Sequence, residues 1–175
     1  MATTFHLRVW TRFLVPVEEV WAQKTDPTAL SAEFRPYASF CFADETAVRR
    51  AYAGDVPATL DATLRLGRAL PFTWPIQVES VVPRKSIREV SSGKLYSRWE
   101  HERLFEPTPD GCRFVDAITF TSTSPAQKIT AILTKRLFEH RHRVAAKALA
   151  SDPEATAVAV LRVLVEAEDA ERSAG

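Results

Sequence analysis

Cysteine and glycine are scarce in this 175-residue sequence, which contains two cysteines and five glycines. Cys41 and Cys112 form no CxxC pair, which argues against both a zinc site and a disulfide framework. We therefore predict that both thiols are reduced, as is usual in a cytoplasmic protein. The glycines form no Gly-rich phosphate-binding loop, so nothing in the sequence indicates a nucleotide cofactor.

Long apolar runs and an excess of one charge are also missing. The longest apolar run, residues 157–165, is interrupted by Arg162 and is far shorter than the roughly 20 residues that span a membrane. The N-terminal residues lack the apolar core of a signal peptide. Lys and Arg number 23 and Asp and Glu 22, so no overall charge attracts the chain to nucleic acid or an anionic membrane. We predict a cytoplasmic protein without a membrane span or a nucleic-acid partner.

The overall composition, with 46% hydrophobic and 26% charged residues, is typical of a folded globular protein. Its length suits one domain, which we place at residues 1–152. Asp152-Pro153 breaks the last long helical pattern, and residues 153–175 are predicted to form a C-terminal helical extension and tail.

Apolar periodicity predicts one strand, two short helices, a run of strands and a long helix. Residues 5–15 alternate as a strand, and Asp26-Pro27 separates two short helical patterns after it. From residue 58 to 122 the period is two, with a hairpin turn at Pro109-Asp110-Gly111 and an awkward Pro75 that favours a bulge or a sheet edge.

Ser124-Pro125 can open the long helix, with Ser124 as its cap. Its apolar stripe is predicted to contain Ile129, Ile132, Leu133, Leu137, His140 and Val144.

Four stretches carry a family resemblance: VPVEEVWAQKTDPTAL (15–30), ATLDATLRLGRALPFTWPIQVESVVP (58–83), GKLYSRWEHERLFEPTPDGCRFVDAITF (93–120) and LFEHRH (137–142). In order and spacing they resemble the START/Bet v 1-like helix-grip superfamily (SRPBCC), in its bacterial ligand-binding and polyketide cyclase/dehydrase-like branch. The resemblance implies an α+β helix-grip fold, in which a strongly bent antiparallel β-sheet wraps around a long C-terminal α-helix and two short helices follow strand 1. The chain departs from the family pattern at Ala58, Arg103 and Phe120, where the family often has Gly, His and Tyr.

The hairpin at residues 97–122 mixes aromatic and charged side chains on one face. By strand parity that face carries Trp99, His101, Arg103 and Phe105 on one strand and Phe114, Asp116, Ile118 and Phe120 on the next. A buried Arg or Asp is costly unless it is paired, so we expect Asp116 to accept a hydrogen bond from Arg103 or His101. Such a cluster could orient a ligand; the alternatives are a purely structural pair or a convex, solvated face.

The resemblance implies that one face of the sheet lines a cavity. The candidate ligand-binding residues are Leu64, Trp74, Trp99, His101, Arg103, Asp116, Phe120 and His140. His140 and His142 point about 200° apart on a helix, so they cannot chelate one metal ion together. The RHR cluster at 141–143 is predicted to be a solvated face. No nucleophile accompanies His101, and we assign no catalytic residue, metal or cofactor.

Three functions remain open. The first is binding of a small hydrophobic ligand (a lipid, polyketide, isoprenoid or aromatic compound) by a monomer or homodimer. The second is a cyclase or dehydratase in which His101 or Arg103 polarises a carbonyl in the same cavity. The third is a protein-interaction module of the stress-response, chaperone-binding kind. The first two predict an internal cavity, whereas the third predicts a collapsed one and an exposed apolar patch.

Overall fold

The computed structural model describes residues 2–93, 96–122 and 125–164, without the side chains of 152–164. These residues form eight strands and four helices in one α+β unit. In chain order they are β1 (Thr3–Phe13), α1 (Val17–Thr25), α2 (Pro27–Glu33), β2 (Ala38–Phe42), α3 (Glu45–Tyr52), β3 (Ala58–Leu66), β4 (Phe72–Val82), β5 (Ser86–Ser91), β6 (Arg98–Thr108), β7 (Gly111–Ser122), α4 (Gln127–Ala148) and β8 (Ser151–Leu164). No helix within these ranges is long and apolar enough to cross a membrane.

All eight strands belong to one curled antiparallel sheet with the order β2-β3-β4-β5-β6-β7-β1-β8. Strands β2 to β7 each pair with the next strand along the chain. β7 also pairs with β1, and β8 pairs with the other edge of β1. Helix α4 packs on the sheet and contacts β1, and α2 lies against α4. The predicted helix-grip architecture, with a bent sheet around a long C-terminal helix, is confirmed.

Aspartate caps explain the short helices. The side chain of Asp26 accepts a hydrogen bond from the backbone N–H of Ala29 at 2.9 Å, so the residue that ends α1 also starts α2. Asp44 caps α3 in the same way through the N–H groups of Thr46 and Ala47. The two helices predicted after β1 are therefore present, and α3 is a third.

The β6–β7 hairpin has the predicted turn. Thr108 pairs with Gly111 across a two-residue connection at Pro109 and Asp110. An added Cβ at Gly111 would collide with the carbonyl oxygen of Phe13 at the end of β1. This close approach of two backbones requires glycine, and it holds the register of β7 against β1.

Pro75 lies where the sheet can tolerate it. It pairs with Asp61 of β3, but the pairing of β4 with β5 begins only at Gln77, so no ladder hydrogen bond is lost on that side. A register shift follows between Val78 and Ser80.

The predicted helical extension is wrong over residues 153–164, which belong to strand β8 and pair antiparallel with β1. This segment is rich in valine, whose branched side chain favours strands, and it pairs with an edge of β1 that would otherwise be open. Residues 165–175 and the proposed cap Ser124 lie outside the described residues. The division of the chain at residue 152 stays a prediction.

The predicted apolar stripe of α4 is also partly wrong. Ile129, Ile132 and Leu133 are 62%, 49% and 57% exposed. The buried residues of the helix are instead Ala131, Thr134, Phe138, Arg141, His142 and Ala145. The helix is thus rotated so that small and charged side chains and Phe138, rather than Ile129, Ile132 and Leu133, are buried.

We predict that Gly111→Ala lowers the free energy of unfolding by about 1–3 kcal/mol, because a rigid backbone carbonyl occupies the space of the new methyl group. Gly93→Ala is the matched control, since a Cβ there meets no atom within 4 Å and should change stability by less than about 0.5 kcal/mol. Urea unfolding of both variants measures the difference. Equal stabilities would contradict the proposed role of Gly111.

Candidate functional site

A cavity of about 120 Å³ lies between the sheet and helices α2 and α4. Much of its wall is aromatic, formed by Phe34, Phe40, Phe42, Trp74, Tyr96, Trp99 and Phe138. The ring of Trp74 meets those of Trp99 and Tyr96 edge-on, with centroids 5.8 and 5.6 Å apart. Ionisable groups complete the wall: Tyr52, Glu89, His101, Arg103 and Arg141. The cavity therefore combines an apolar interior with a charged cluster.

Five of the eight candidate residues line this cavity: Leu64, Trp74, Trp99, His101 and Arg103. Asp116 and Phe120 are fully buried but do not belong to its wall. Phe120 stacks on Trp99, and Asp116 forms a hydrogen bond with His101. The hairpin face is thus buried rather than convex and solvated, while ligand binding by these residues stays a prediction.

His140 lies elsewhere. Its Nε2 is 2.6 Å from the carbonyl oxygen of Arg35, and its ring meets Tyr37 edge-on. It lines an outer groove of about 660 Å³ together with Arg136 and Arg143. Four residues belong to both walls, namely Leu66, Tyr96, Thr134 and Leu137, so the groove lies directly outside the cavity.

His101 bridges two buried carboxylates. Its Nε2 is 2.8 Å from Oδ1 of Asp116, which confirms the expected pairing, and its Nδ1 is 3.3 Å from Oε2 of Glu89. The other oxygen of Glu89 accepts hydrogen bonds from Tyr52, at 2.6 Å, and from Arg103. Arg103 therefore pairs with Glu89 on the neighbouring strand β5, and it also donates to the carbonyl oxygen of Lys24.

Helix α4 supplies the other half of the cluster. Arg141 Nη1 and His142 Nε2 lie 3.2 and 3.0 Å from Oδ2 of Asp116. Arg141 Nε donates to Glu33 at 2.7 Å, and the second oxygen of Glu33 accepts from Lys24 at 2.8 Å. Three carboxylates are thus joined to cationic side chains in one buried chain of ion pairs.

The predicted solvated face at 141–143 is wrong for two of its three residues. Arg141 is 2% exposed and His142 is fully buried, whereas Arg143 is exposed. The buried positions of α4 recur in steps of three and four residues, at 131, 134, 138, 141 and 145. That spacing is typical of the buried face of a helix. It is not recognised from large apolar residues, because alanine, threonine and arginine occupy most of these positions.

Burial and ion pairing shift the pKa values of the cluster in opposite directions. Burial alone would raise the pKa of Glu89, but the Arg103 charge and the hydrogen bonds from His101 and Tyr52 outweigh it and lower that pKa to about 2. The pKa of Asp116 is likewise held well below its usual value by Arg141 and the two histidines, against the effect of burial. Both carboxylates are therefore ionised at neutral pH.

Burial lowers the pKa of His142 despite the neighbouring carboxylate of Asp116. As a neutral imidazole it donates from Nε2 to Asp116 and accepts at Nδ1 from the hydroxyl of Thr11, 2.8 Å away. Burial also lowers the pKa of Lys24, against the effect of Glu33.

Three buried polar atoms on residues of the cavity wall have no hydrogen-bond partner among the described residues. They are Nη2 of Arg141, Nε of Arg103 and Oγ of Ser91. Buried donors without partners are uncommon in folded proteins and often mark a place where a water molecule or another group binds. Within the same ranges, no group of three or more His, Cys, Asp or Glu side chains is placed to hold a metal ion.

Solved structures share this fold at low sequence identity. Protein CV1439 from Chromobacterium violaceum superposes with a TM-score of 0.62 and 12% identity, over 79% of this chain and 95% of that one. TTHA0849 from Thermus thermophilus gives 0.59 and 16%, over 82% and 98%. Ara h 8.0201, a Bet v 1-like protein, gives 0.55 and 11%, over 84% and 99%. The chain therefore has a Bet v 1/SRPBCC-type helix-grip fold.

A family model assigns the chain more narrowly. The model of a domain of unknown function, DUF8410, matches residues 11–149, and the chain belongs to that family. No curated protein matches the sequence.

We predict that Glu89 makes stability depend on acid pH. The pKa of Glu89 is about 2 in the folded protein, against an ordinary value of 4.5. Its contribution to the free energy of unfolding is therefore present above pH 4.5 and is lost as the pH falls toward 2. Between pH 7 and pH 3, Glu89 should account for about 2 kcal/mol of the loss in unfolding free energy. Glu89→Gln should be less stable at pH 7 and should lack this part of the decline, as measured by urea unfolding at both pH values.

Glu79→Gln is the matched control, because Glu79 pairs with Arg88 on the exposed surface. Its pH dependence should equal that of the unaltered protein. The assignment fails if both variants decline as steeply as the parent.

Proposed function

We propose that this protein binds a small hydrophobic molecule in the cavity, with the polar group of the ligand turned toward the charged cluster. The observation that carries this proposal is a cavity whose wall joins eight Phe, Tyr and Trp side chains to buried charged residues. Binding sites for small molecules are commonly apolar cavities with a few convergent polar groups.

Apolar burial would supply the affinity. At roughly 25 cal/mol per Å² removed from water, a ligand that buries about 200 Å² gains about 5 kcal/mol before the cost of association. The outer groove gives room for a ligand longer than the cavity, since the two share part of their walls.

The other two functions have less support. His101 lies on the cavity wall, but both of its nitrogens face carboxylates, which leaves neither free to exchange a proton with a substrate. An interaction module was expected to have a collapsed cavity and an exposed apolar patch. The exposed Ile129, Ile132 and Leu133 fit the second expectation, but the cavity does not fit the first.

The neutral fluorescent probe N-phenyl-1-naphthylamine tests the proposal. It should bind saturably with one site per chain, and Leu64→Trp should weaken binding about tenfold or more because the larger ring fills the cavity. Leu70→Trp is the matched control, since Leu70 is 87% exposed and should leave binding unchanged. Absence of saturable binding, or equal effects of the two substitutions, would refute the proposal.

A further inference from the structure

We propose that the ligand is an apolar carboxylic acid and that its carboxylate binds Arg141 of α4. This inference rests on the proposed function and specifies the chemistry of its ligand. It follows from the polar atoms of the cavity wall that have no hydrogen-bond partner among the described residues and from the charged side chains of that wall.

Most polar groups on the cavity wall already have hydrogen-bond partners within the protein. Both oxygens of Glu89 face donors, and the Tyr52 hydroxyl donates to Glu89 and accepts from Arg103. Thr134 donates to the carbonyl oxygen of Thr130, so the hydroxyl of Tyr96 donates to Thr134. Both oxygens of the one carboxylate on the wall, that of Glu89, are thus engaged by donors of the protein.

Two of the three unpaired polar atoms on the described wall residues belong to cationic side chains, and the third is the hydroxyl oxygen of Ser91. Nη2 of Arg141 and Nε of Arg103 are buried donors without a partner among the described residues. A guanidinium donor forms its strongest hydrogen bonds with an anionic oxygen, and leaving it unpaired inside a protein is costly. Both nitrogens belong to side chains on the cavity wall, so an oxygen anion in the cavity is the partner that this site lacks.

Two aromatic rings that line the cavity also pack against the guanidinium group of Arg141. The centroids of Phe34 and Phe138 lie 5.6 Å from the centre of its guanidinium, and both rings also line the cavity. A carboxylate that binds Nη2 would place the apolar part of the ligand against the aromatic wall.

The charges on the cavity wall also favour an anion. Arg103 and Arg141 are guanidinium groups, and Glu89 is the carboxylate on the wall within the described residues. Arg141 shares Glu33 with Lys24, and it shares Asp116 with His101 and His142. Nη2 of Arg141 is therefore free to donate to a further anion.

Calorimetric titration with decanoate, decan-1-ol and decylamine tests this inference, because the three compounds differ only in the head group. Decanoate should bind about tenfold tighter than the alcohol or more, and decylammonium more weakly than the alcohol. Arg141→Lys keeps a positive charge for Glu33 and Asp116 but removes the spare nitrogen. It should abolish the preference for decanoate, so that decanoate and decan-1-ol bind with similar affinity.

Arg50→Lys is the matched control, since it makes the same substitution on an exposed helical side chain that lines neither the cavity nor the outer groove. Equal affinities for decanoate and the alcohol, or a loss caused by Arg50→Lys rather than Arg141→Lys, would overturn the inference and leave the proposed function intact. Failure of all three compounds and of N-phenyl-1-naphthylamine would remove both.

If Arg141→Lys fails to fold by circular dichroism, the unaltered protein decides the matter. Decanoate labelled with ¹³C at its carboxyl carbon should keep an ionised chemical shift in the bound state as the pH falls through the titration range of the free acid. A bound signal that titrates like the free acid would overturn the inference.

Discussion

The carboxylate of Asp116 is the constraint on which the arrangement of this fold depends. It lies on β7 and is completely buried. It is hydrogen-bonded to His101 of β6 and His142 of α4, and it forms an ion pair with Arg141 of α4. A buried carboxylate without partners costs several kcal/mol, so the sheet and the helix must keep these partners together. This requirement explains why α4 turns its charged residues inward and exposes Ile132 and Leu133.

The same pairing determines the character of the cavity. The ion pairs continue from Asp116 through His101 to Glu89 and Arg103, and these last three side chains also form part of the cavity wall. Because the carboxylates are satisfied by protein donors, the hydrogen-bonding capacity left on the wall is that of the guanidinium groups and the Ser91 hydroxyl. An aromatic interior with spare cationic donors suits an apolar molecule with one acceptor group, which is why we propose a carrier rather than a general acid–base catalyst.

Sequence patterns predicted the parts that depend on local periodicity. The strand parity of residues 97–122 placed Trp99, His101 and Arg103 on one face, and the turn at Pro109 set Arg103 opposite Asp116. The partners Glu33, Glu89, Arg141 and His142 were missed because they lie on other elements. Residues 153–164 were assigned to a helix, although their valines favour a strand; the edge of β1 that supplies the strand's partner lies far away in the chain.

The sequence alone determined the antiparallel hairpins, the two short helices after β1 and the aromatic face of the β6–β7 hairpin, because each arises from residues close together in the chain, while the bent sheet around α4 was implied by the family resemblance. The tertiary structure decided which face of α4 is buried, which carboxylate pairs with which cation, and where a donor is left without a partner. The physical reason is that burial makes pairing obligatory for charged groups, and the best pairing depends on how the helices and the sheet meet rather than on any one segment.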